Sequence, residues 1–227
     1  MTLSVRPRLL DLFCGAGGAA RGYQMAGFYV VGVDCKPQPR YAGDEFIQAD
    51  VFDWCDSQTN QAFDFQAVHA SPPCQAYSIM RNLPWLRDKD YPRLIDKTQD
   101  CMQVMGVPYV LENVMGAHLP AGWLCGGMFG MPFYRHRAFE TNWFWLLPGH
   151  PLHPDNIGVR NGRTLGPAPR GSVHNGARRV GANVGHAAGV GDAREAMGID
   201  WMTRDELTQA IPPAYTEYIG RALMAAL

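Results

Sequence analysis

The chain has 227 residues, of which 47% are hydrophobic and 18% are charged, and its formal net charge is −1 at pH 7. These values predict one globular domain of ordinary size, with room for at most a small accessory lobe. Because no run of about 18 apolar residues occurs, we expect no membrane span. Because the first residues lack the apolar segment of a signal peptide, we expect a cytoplasmic protein.

The six cysteines are widely spaced in the chain and form no C-x-x-C pair. This pattern supports neither a disulfide framework nor a zinc site. We therefore expect free thiols in a reducing compartment and no bound metal. The six positions are Cys14, Cys35, Cys55, Cys74, Cys101 and Cys125.

Apolar runs alternate with helical patterns through the first half of the chain. The run RLLDLF (8–13) reads as a buried strand, and a glycine-rich turn and a helical stretch, ARGYQMAG, follow it. Nearly continuous apolar strands that alternate with helices indicate a parallel sheet covered on both faces. The predicted fold class is therefore α/β, doubly wound and mostly parallel. Further strands are expected at 28–34, 46–50, 65–70 and 108–113, and a helix at 93–105.

The pattern changes near residue 142, and residues 149–195 are rich in glycine and arginine and sparse in core-forming residues. Such a composition predicts either a flexible basic loop or a small recognition lobe with little core of its own. We expect a core over 1–141, this recognition region over 142–195, and C-terminal helices over 196–227 that complete the core. In the last segment, Thr203 and Glu206 have the spacing of a capping box, and Pro213 suits the start of a helix.

A glycine loop follows the first predicted strand, and acidic residues end the next two. Gly15, Gly17 and Gly18 allow a sharp turn and a close approach of the backbone to a ligand. Asp34 is placed to accept hydrogen bonds from ribose hydroxyls, and Asp50 to meet an adenine amino group. The glycine spacing is incomplete as a dinucleotide fingerprint, so the pattern favours another nucleoside-bearing cofactor over NAD. A tight turn with solvated acids is the alternative reading.

The segment ASPPCQAYS places Cys74 just after the fourth predicted strand. A lone cysteine is usually a small buried hydrophobe. Here Pro72 and Pro73 stiffen the turn that presents the sulfur, and Gln75 and Ser78 are polar where a core would be apolar. Ligands of open α/β folds bind at this edge of the sheet, and a thiolate is a good nucleophile for an electron-poor ring carbon.

Polar residues also end the fifth predicted strand, and an arginine pair follows later in the chain. Glu112 and Asn113 end it, and a buried acid at a strand end is costly unless it has a partner. If the fourth and fifth strands are neighbours, Glu112 lies beside Cys74 and can supply the acid of a nucleophile–acid pair. The alternative is a carboxylate that caps a nearby helix. Arg135 and Arg137 alternate in an apparent strand, so both are expected on one face, suited to a base carbonyl, a phosphate or an ion pair with Glu112.

Taken in order, the motifs DLFCGAGG, SPPCQAYS, LENV, RHR and IPPAYTEYIG resemble the DNA (cytosine-5) methyltransferase family, in a compact form with a short target-recognition region. The resemblance covers essentially the whole chain except roughly 142–195. It implies the Rossmann-like fold of S-adenosylmethionine-dependent methyltransferases, with S-adenosyl-L-methionine as the cofactor. The residues that it assigns to the cofactor pocket are Phe13, Gly15, Ala16, Gly17, Gly18, Asp34, Cys35, Asp50, Val51, Pro73 and Gln209.

The resemblance also implies the reaction, which is methylation of cytosine C5 in DNA. Cys74 would add to C6 of a flipped-out base, and Glu112 would hold N3 and the exocyclic amine. Arg137 would contact the base carbonyl, and Arg135 would help to place Cys74 and Glu112. The residues assigned to catalysis are Cys74, Gln75, Glu112, Asn113, Arg135 and Arg137.

Double-stranded DNA is the partner that the resemblance implies, bound by a monomer. The short recognition region predicts a small or degenerate target sequence, with contacts mostly to phosphates. A restriction–modification, solitary or phage setting is open, and the compact chain favours phage or mobile DNA. The predicted DNA contacts are Ser78, Arg160, Arg163, Arg170, Arg178 and Arg179.

Two short segments depart from the family pattern. Phe133 and Tyr134 stand where a glutamine usually precedes the arginine pair, and Thr208 and Gln209 replace a Gly-Asn dipeptide. Three alternative functions are therefore weighed. The first is an amino-methyltransferase, which would need an aromatic residue at position 74. The second is a cytosine-5 methyltransferase of RNA: the usual enzymes of this class carry a second cysteine where Glu112 stands, but a tRNA-modifying branch of the DNA-type family exists. A catalytically impaired nucleic-acid-binding homologue is the third.

Overall fold

A computed structural model describes residues 6–58, 64–78, 83–84, 88–152 and 189–227, together with the backbone of four two-residue strands. Seven strands form the main sheet: β1 (Arg8–Leu12), β2 (Tyr29–Asp34), β3 (Glu45–Gln48), β4 (Ala67–Ala70), β5 (Tyr109–Asn113), β6 (Gly122–Leu124) and β7 (Arg137–Thr141). The helices are α1 (Gly18–Ala26), α2 (Val51–Gln58), α3 (Ile95–Met105), α4 (Val190–Met197), α5 (Arg204–Gln209) and α6 (Pro213–Ala226). Two separate hairpins consist of β8 (Val159–Arg160) with β9 (Arg163–Thr164), and β10 (Val173–His174) with β11 (Ala177–Arg178).

The sheet order is β3-β2-β1-β4-β5-β7-β6. The first five strands are parallel, whereas β7 pairs antiparallel with both β5 and β6. After β3 the chain returns to form β4 on the other side of β1, so the strand order reverses between β1 and β4. Open α/β sheets bind ligands at such a switch point. The predicted fold class is confirmed, and the five predicted strands agree with β1 to β5 within two residues at each end.

Both faces of the sheet are covered by helices. Side chains alternate along β1, so Leu9 packs with α1 and α6 on one face, while Leu10 packs with α2 and α3 on the other. This double burial explains why the central strands are almost continuously apolar.

The C-terminal helices close over the glycine loop. Leu207 of α5 and Met197 of α4 pack in one cluster with Ala16 of the loop and with Phe133. The predicted capping box is present, because the Thr203 side chain accepts from the backbone of Glu206 and the Glu206 side chain accepts in return. Pro213 is the first residue of α6, also as predicted.

The expectation of six free thiols is wrong for two of the cysteines. Cys55 on α2 and Cys101 on α3 form a disulfide, with their Cα atoms 6.6 Å apart. The two helices pack side by side on the same face of the sheet and so bring together residues that are 46 positions apart in the chain. No local sequence spacing could have indicated this pair.

Trp145 follows β7 and packs in the core cluster with α6, so the region predicted for recognition, 142–195, contributes to the core at its start. Within the described residues, no helix has both the length and the apolar character needed to cross a membrane.

Candidate active site

The loops after β4 and β5 meet at the carboxyl edge of the sheet. The two strands are parallel neighbours, with Ala70 opposite Leu111. The loop after β4 carries Cys74, and the last two residues of β5 are Glu112 and Asn113. The Asn113 amide donates to the Pro72 carbonyl oxygen at 2.9 Å and thereby links the two loops.

Cys74 occupies the first position of a tight turn. Its carbonyl oxygen accepts from the backbone N–H groups of Tyr77 at 3.0 Å and Ser78 at 2.9 Å. The Cys74 side chain is half-buried and Gln75 is exposed. The turn holds the cysteine partly open to solvent at the edge where the predicted substrate would lie.

Glu112 and Arg137 form a buried ion pair beside this turn. Arg137 Nε lies 3.0 Å from Glu112 Oε1, and the two side chains are only 9% and 6% exposed. Glu112 faces Phe139 across the β5–β7 ladder, and Arg137 is two residues from Phe139, so it projects to the same face. Despite the short ionic contact, Glu112 Oε1 forms no hydrogen bond with the described residues. A buried acid with an unfilled oxygen is suited to a ligand that can fill it.

Burial sets the protonation of both groups. It raises the pKa of Glu112 to about 7, against the opposing effects of Arg137 and Arg135. Burial also raises the pKa of the Cys74 thiol, and the Glu112 charge raises it further, while Arg137 lowers it. A perturbed acid beside a perturbed thiol in one cleft is typical of a functional site.

Arg135 does not share a strand with Arg137, and this prediction is wrong. The strand β7 begins at Arg137, and Arg135 precedes it with a φ of 22°, outside the extended conformation. Its fully buried guanidinium donates to the carbonyl oxygens of Leu207 at 3.2 Å and Thr208 at 2.5 Å. The cation therefore lies at the C-terminal end of α5, where the helix dipole favours positive charge.

Tyr215 helps to position the segment before β7, a role that the sequence did not reveal. Its hydroxyl donates to the Arg135 carbonyl oxygen at 2.8 Å, so α6 holds the same backbone that leads into Arg137. Together, α5 and α6 hold the segment that leads into β7 through hydrogen bonds with residues more than 70 positions away in the chain. The only sequence signal was the motif IPPAYTEYIG, which gives no indication of the partner.

The glycine loop is bound to the end of β2. Asp34 Oδ2 accepts from the Gly15 N–H at 3.0 Å, and Oδ1 accepts from the Lys36 N–H at 2.9 Å. Gly17 has a φ of 81°, and a Cβ there would lie 2.7 Å from the Ala42 nitrogen, so the position requires glycine. Gly15 also has a positive φ, but nothing lies within 4 Å of its Cβ position. The open space above the loop fits the close approach of a ligand.

The other residues predicted to bind the cofactor differ in their exposure. Asp50 is exposed and caps α2, since Oδ1 accepts from Phe52 and Asp53, while Oδ2 makes no hydrogen bond among the described residues. The Phe13 ring packs edge-on against Phe52 at 5.9 Å. Ala16 and Val51 are buried, whereas Cys35, Pro73 and Gln209 are exposed. A glycine loop with acids at the ends of β2 and β3 fits an adenosyl group.

The predicted DNA contacts fall mostly outside the described side chains. Arg170 and Arg179 lie outside the described residues. Arg160, Arg163 and Arg178 belong to the short hairpins, of which only the backbone is described. Ser78 lies in the Cys74 turn, next to the candidate active site.

Comparison with solved structures agrees with this architecture. A methyltransferase from Entamoeba histolytica, EhMeth, matches with a TM-score of 0.56 and 11% identity over 98% of this chain and 99% of that one. The Dnmt2 methyltransferase of Schizosaccharomyces pombe matches with a TM-score of 0.53 and 13% identity over the same shares. The chain has their methyltransferase fold. At these identities, the likeness concerns the fold alone.

Other comparisons are weaker. A Spodoptera frugiperda DNMT2 mutant matches with a TM-score of 0.41 and 19% identity over 70% of this chain, which spans 56% of that protein. No family model matches the sequence, and no curated protein matches it either.

Proposed function

We propose that this protein transfers a methyl group from S-adenosylmethionine to C5 of cytosine in double-stranded DNA through a covalent adduct with Cys74. The observation that carries the proposal is the placement of a half-buried thiol beside a buried acid whose pKa is about 7 and which is paired with an arginine. Cytosine C5 is a poor nucleophile until a group adds at C6, so the reaction needs both a thiolate and an acid.

Cys74 begins the reaction by forming a bond from its sulfur to C6 of the base. The electron pair of the C5–C6 double bond moves towards N3, where a proton donor prevents the build-up of negative charge. C5 then attacks the methyl group that the cofactor supplies when it is bound. Loss of the C5 proton to water restores the C5–C6 double bond and expels the Cys74 sulfur as the thiolate, and the proton on N3 returns to Glu112.

Glu112 acts as the acid for N3. With a pKa of about 7 it carries its proton in a substantial fraction of molecules at neutral pH. Its protonated form also removes the negative charge that raises the pKa of Cys74. Protonation of the acid and ionisation of the nucleophile therefore support each other.

Arg137 is proposed to contact the base carbonyl and to orient Glu112 through the 3.0 Å ion pair. Arg135 acts through position, because its guanidinium fastens the start of β7 to α5. Asn113 is likewise proposed to position the nucleophile, because its amide bonds to the loop that carries Cys74.

The cofactor is proposed to bind along the glycine loop, between Gly15 and the acids Asp34 and Asp50. The support is the open space at Gly15, the bond from its N–H to Asp34, and the Asp50 oxygen that makes no hydrogen bond among the described residues. Gln209 is exposed at the end of α5, and we propose that its amide contacts the same group.

The test is product analysis with and without the nucleophile. Purified protein and a Cys74→Ala variant are incubated with mixed-sequence duplex DNA and S-adenosylmethionine, and the DNA is digested to nucleosides for mass spectrometry. We expect 5-methyldeoxycytidine with the wild type and none with the variant. N4-methylcytosine or N6-methyladenine would overturn the assigned role of Cys74.

A duplex with 5-fluorocytosine tests the adduct itself. Fluorine at C5 leaves no proton to lose after methylation, so the sulfur should stay bound to C6 and form a complex that survives denaturation. The matched control is the same duplex with ordinary cytosine. If DNA gives no product and tRNA gives 5-methylcytidine, the chemistry stands and the substrate class is RNA. If neither is methylated while DNA is bound, the protein is a binding module.

A further inference from the structure

A cysteine and two histidines converge where β6 ends and β7 begins. Cys125 Sγ and one ring nitrogen each of His136 and His150 all lie within 4.8 Å of one another. They form the one such group of three or more Cys, His, Asp or Glu side chains found within the described ranges. None of them has a role in the proposed methyl transfer.

The strands explain why the first two ligands meet. Cys125 follows the last residue of β6, and His136 precedes the first residue of β7. The last residue of β6, Leu124, is opposite the first residue of β7, Arg137. The pairing of the two strands therefore brings the two ligands to adjoining strand ends, close enough for their side chains to share one ligand.

An aromatic side chain orients the two histidines. The Trp123 ring centroid lies 5.3 Å from that of His136 and 4.6 Å from that of His150, and the two imidazoles lie 5.7 Å apart. The indole thus lies against both imidazoles, and it shares its strand face with Cys125 because the two are two residues apart. His150 is brought in by the loop after β7, which also contributes Trp145 to the core.

Cys125 offers a sulfur ligand at the inner end of the group. Its side chain is fully buried, whereas His136 is half-buried and His150 is exposed. The group therefore runs from the interior to the surface, and a metal ion can reach it from solvent on the side of His150. The thiolate is the form of cysteine that coordinates metal ions.

We infer that Cys125, His136 and His150 form a zinc site that fastens the start of the recognition region to the strand carrying Arg137. One thiolate and two imidazoles are a ligand set typical of Zn²⁺. In a tetrahedral site with bonds of about 2.3 Å to sulfur and about 2.0–2.1 Å to nitrogen, ligand atoms lie about 3.4–3.6 Å apart. Side-chain movements of about 1 Å would bring the three ligand atoms to these separations. A water or substrate atom would complete the four-coordinate site.

The inferred site explains features that the proposed reaction leaves unused. His136 lies between Arg135 and Arg137, so a metal bond to its ring would fix the backbone that presents both arginines. His150 is exposed and near the end of the described loop, so the same metal would hold the chain that leads into residues 153–188. The inference does not depend on methyl transfer, because metal binding is measured without DNA or cofactor.

Cobalt substitution provides the test. Protein without an affinity tag is stripped of metal with a chelator, titrated with Co²⁺, and then titrated with Zn²⁺ as a competitor. The titrations are done anaerobically and without reductant, so that the Cys55–Cys101 disulfide stays closed. We expect about one metal per chain. A thiolate-to-cobalt charge-transfer band and tetrahedral d–d bands should appear with Co²⁺ and disappear when Zn²⁺ is added.

Two variants remove ligands and two serve as matched controls. Cys125→Ser should abolish the charge-transfer band. His150→Ala, at an exposed position where folding is not at risk, should weaken zinc binding at least tenfold, since even indirect partners of metal ligands contribute that much. Cys35→Ser and His118→Asn alter an exposed cysteine and an exposed histidine and should leave both readouts unchanged. The inference fails if wild-type protein binds no stoichiometric metal, or if His150→Ala binds zinc as tightly as the wild type.

Discussion

The pH dependence of methyl transfer is a direct test of how Glu112 acts. Burial raises its pKa to about 7, which corresponds to about 3 kcal/mol of preference for the protonated carboxyl. The pKa of Cys74 is raised as well, so the thiol titrates above the acid. The active combination, a thiolate beside a protonated acid, is therefore a minor population at every pH.

The product of these two active fractions determines kcat/KM for the free enzyme. Below pH 7 the acid is protonated, and the thiolate fraction rises about tenfold per pH unit. Above pH 7 the thiolate continues to rise while the protonated acid falls by about the same factor. The logarithm of kcat/KM should thus rise with a slope of about one up to pH 7 and then stay flat past about pH 8.5, the ordinary pKa of a cysteine, because the pKa of Cys74 is raised.

Glu112→Gln removes this titration and keeps an N–H group that can donate to the ring nitrogen. Its kcat/KM should be lower at pH 6 but should rise about tenfold per unit through pH 7 without a break. The assay is transfer of a radiolabelled methyl group at saturating cofactor and low DNA concentration. Ionic strength is held constant, because DNA binding depends on salt.

Two results would refute this reasoning. A slope of two below pH 7 in the wild type would mean that the carboxylate, not the acid, is the active form of Glu112. A break near pH 7 that persists in Glu112→Gln would assign the titration to another group.

Three further predictions concern stability. Gly22→Ala should lower the free energy of unfolding by about 1–3 kcal/mol, because a Cβ there would lie 2.1 Å from a backbone oxygen of α6. Glu206→Gln should lower the free energy of unfolding by about 1 kcal/mol at pH 7, a small value because the partner Arg40 is partly exposed. The hydrogen bond from Arg40 lowers the pKa of Glu206 to about 2, so the difference from wild type should vanish as the pH falls from about 4.5 to about 2. Reduction of the disulfide between α2 and α3, which closes a loop of 46 residues, should cost up to about 4 kcal/mol.

Urea denaturation followed by circular dichroism measures all three. Gly191→Ala is the control for Gly22→Ala, since nothing lies within 4 Å of its Cβ position, and an equal loss in both would discredit the proposed clash. A Glu206→Gln deficit that persists at pH 2 would not come from the charge. For the disulfide, a Cys55→Ser/Cys101→Ser variant should match the reduced wild type, and an unchanged midpoint on reduction would contradict the prediction.

Local pattern was sufficient for the five parallel strands and for the residues that end them. Strands buried on both faces must be apolar throughout, so any polar residue at a strand end is conspicuous, and Asp34 and Glu112 were found in this way. Cys74 was found from its neighbours, because two prolines and two polar residues surround it in the turn after β4. The capping box and the first residue of α6 were predictable for a similar reason, because helix ends have local chemical requirements.

The arrangement around β7 could not be predicted, because it depends on pairs of residues that are distant in the chain. Alternation suggested that Arg135 and Arg137 share a face, but the backbone leaves the extended conformation at Arg135, and the carbonyl groups at the end of α5 bind its guanidinium. Tyr215 contributes from α6. Packing of three elements decides this geometry.

The sequence by itself determined the fold class and which chemical groups are available, because buried strands, turns and helix ends each restrict residue type locally. Only the tertiary structure decided which of those groups meet. Packing of α2 against α3 joined two cysteines that had been expected to be free thiols. The pairing of β6 with β7 brought Cys125 close to His136. Burial gave Glu112 a pKa near neutrality, because desolvation is a property of the assembled interior and not of any single residue.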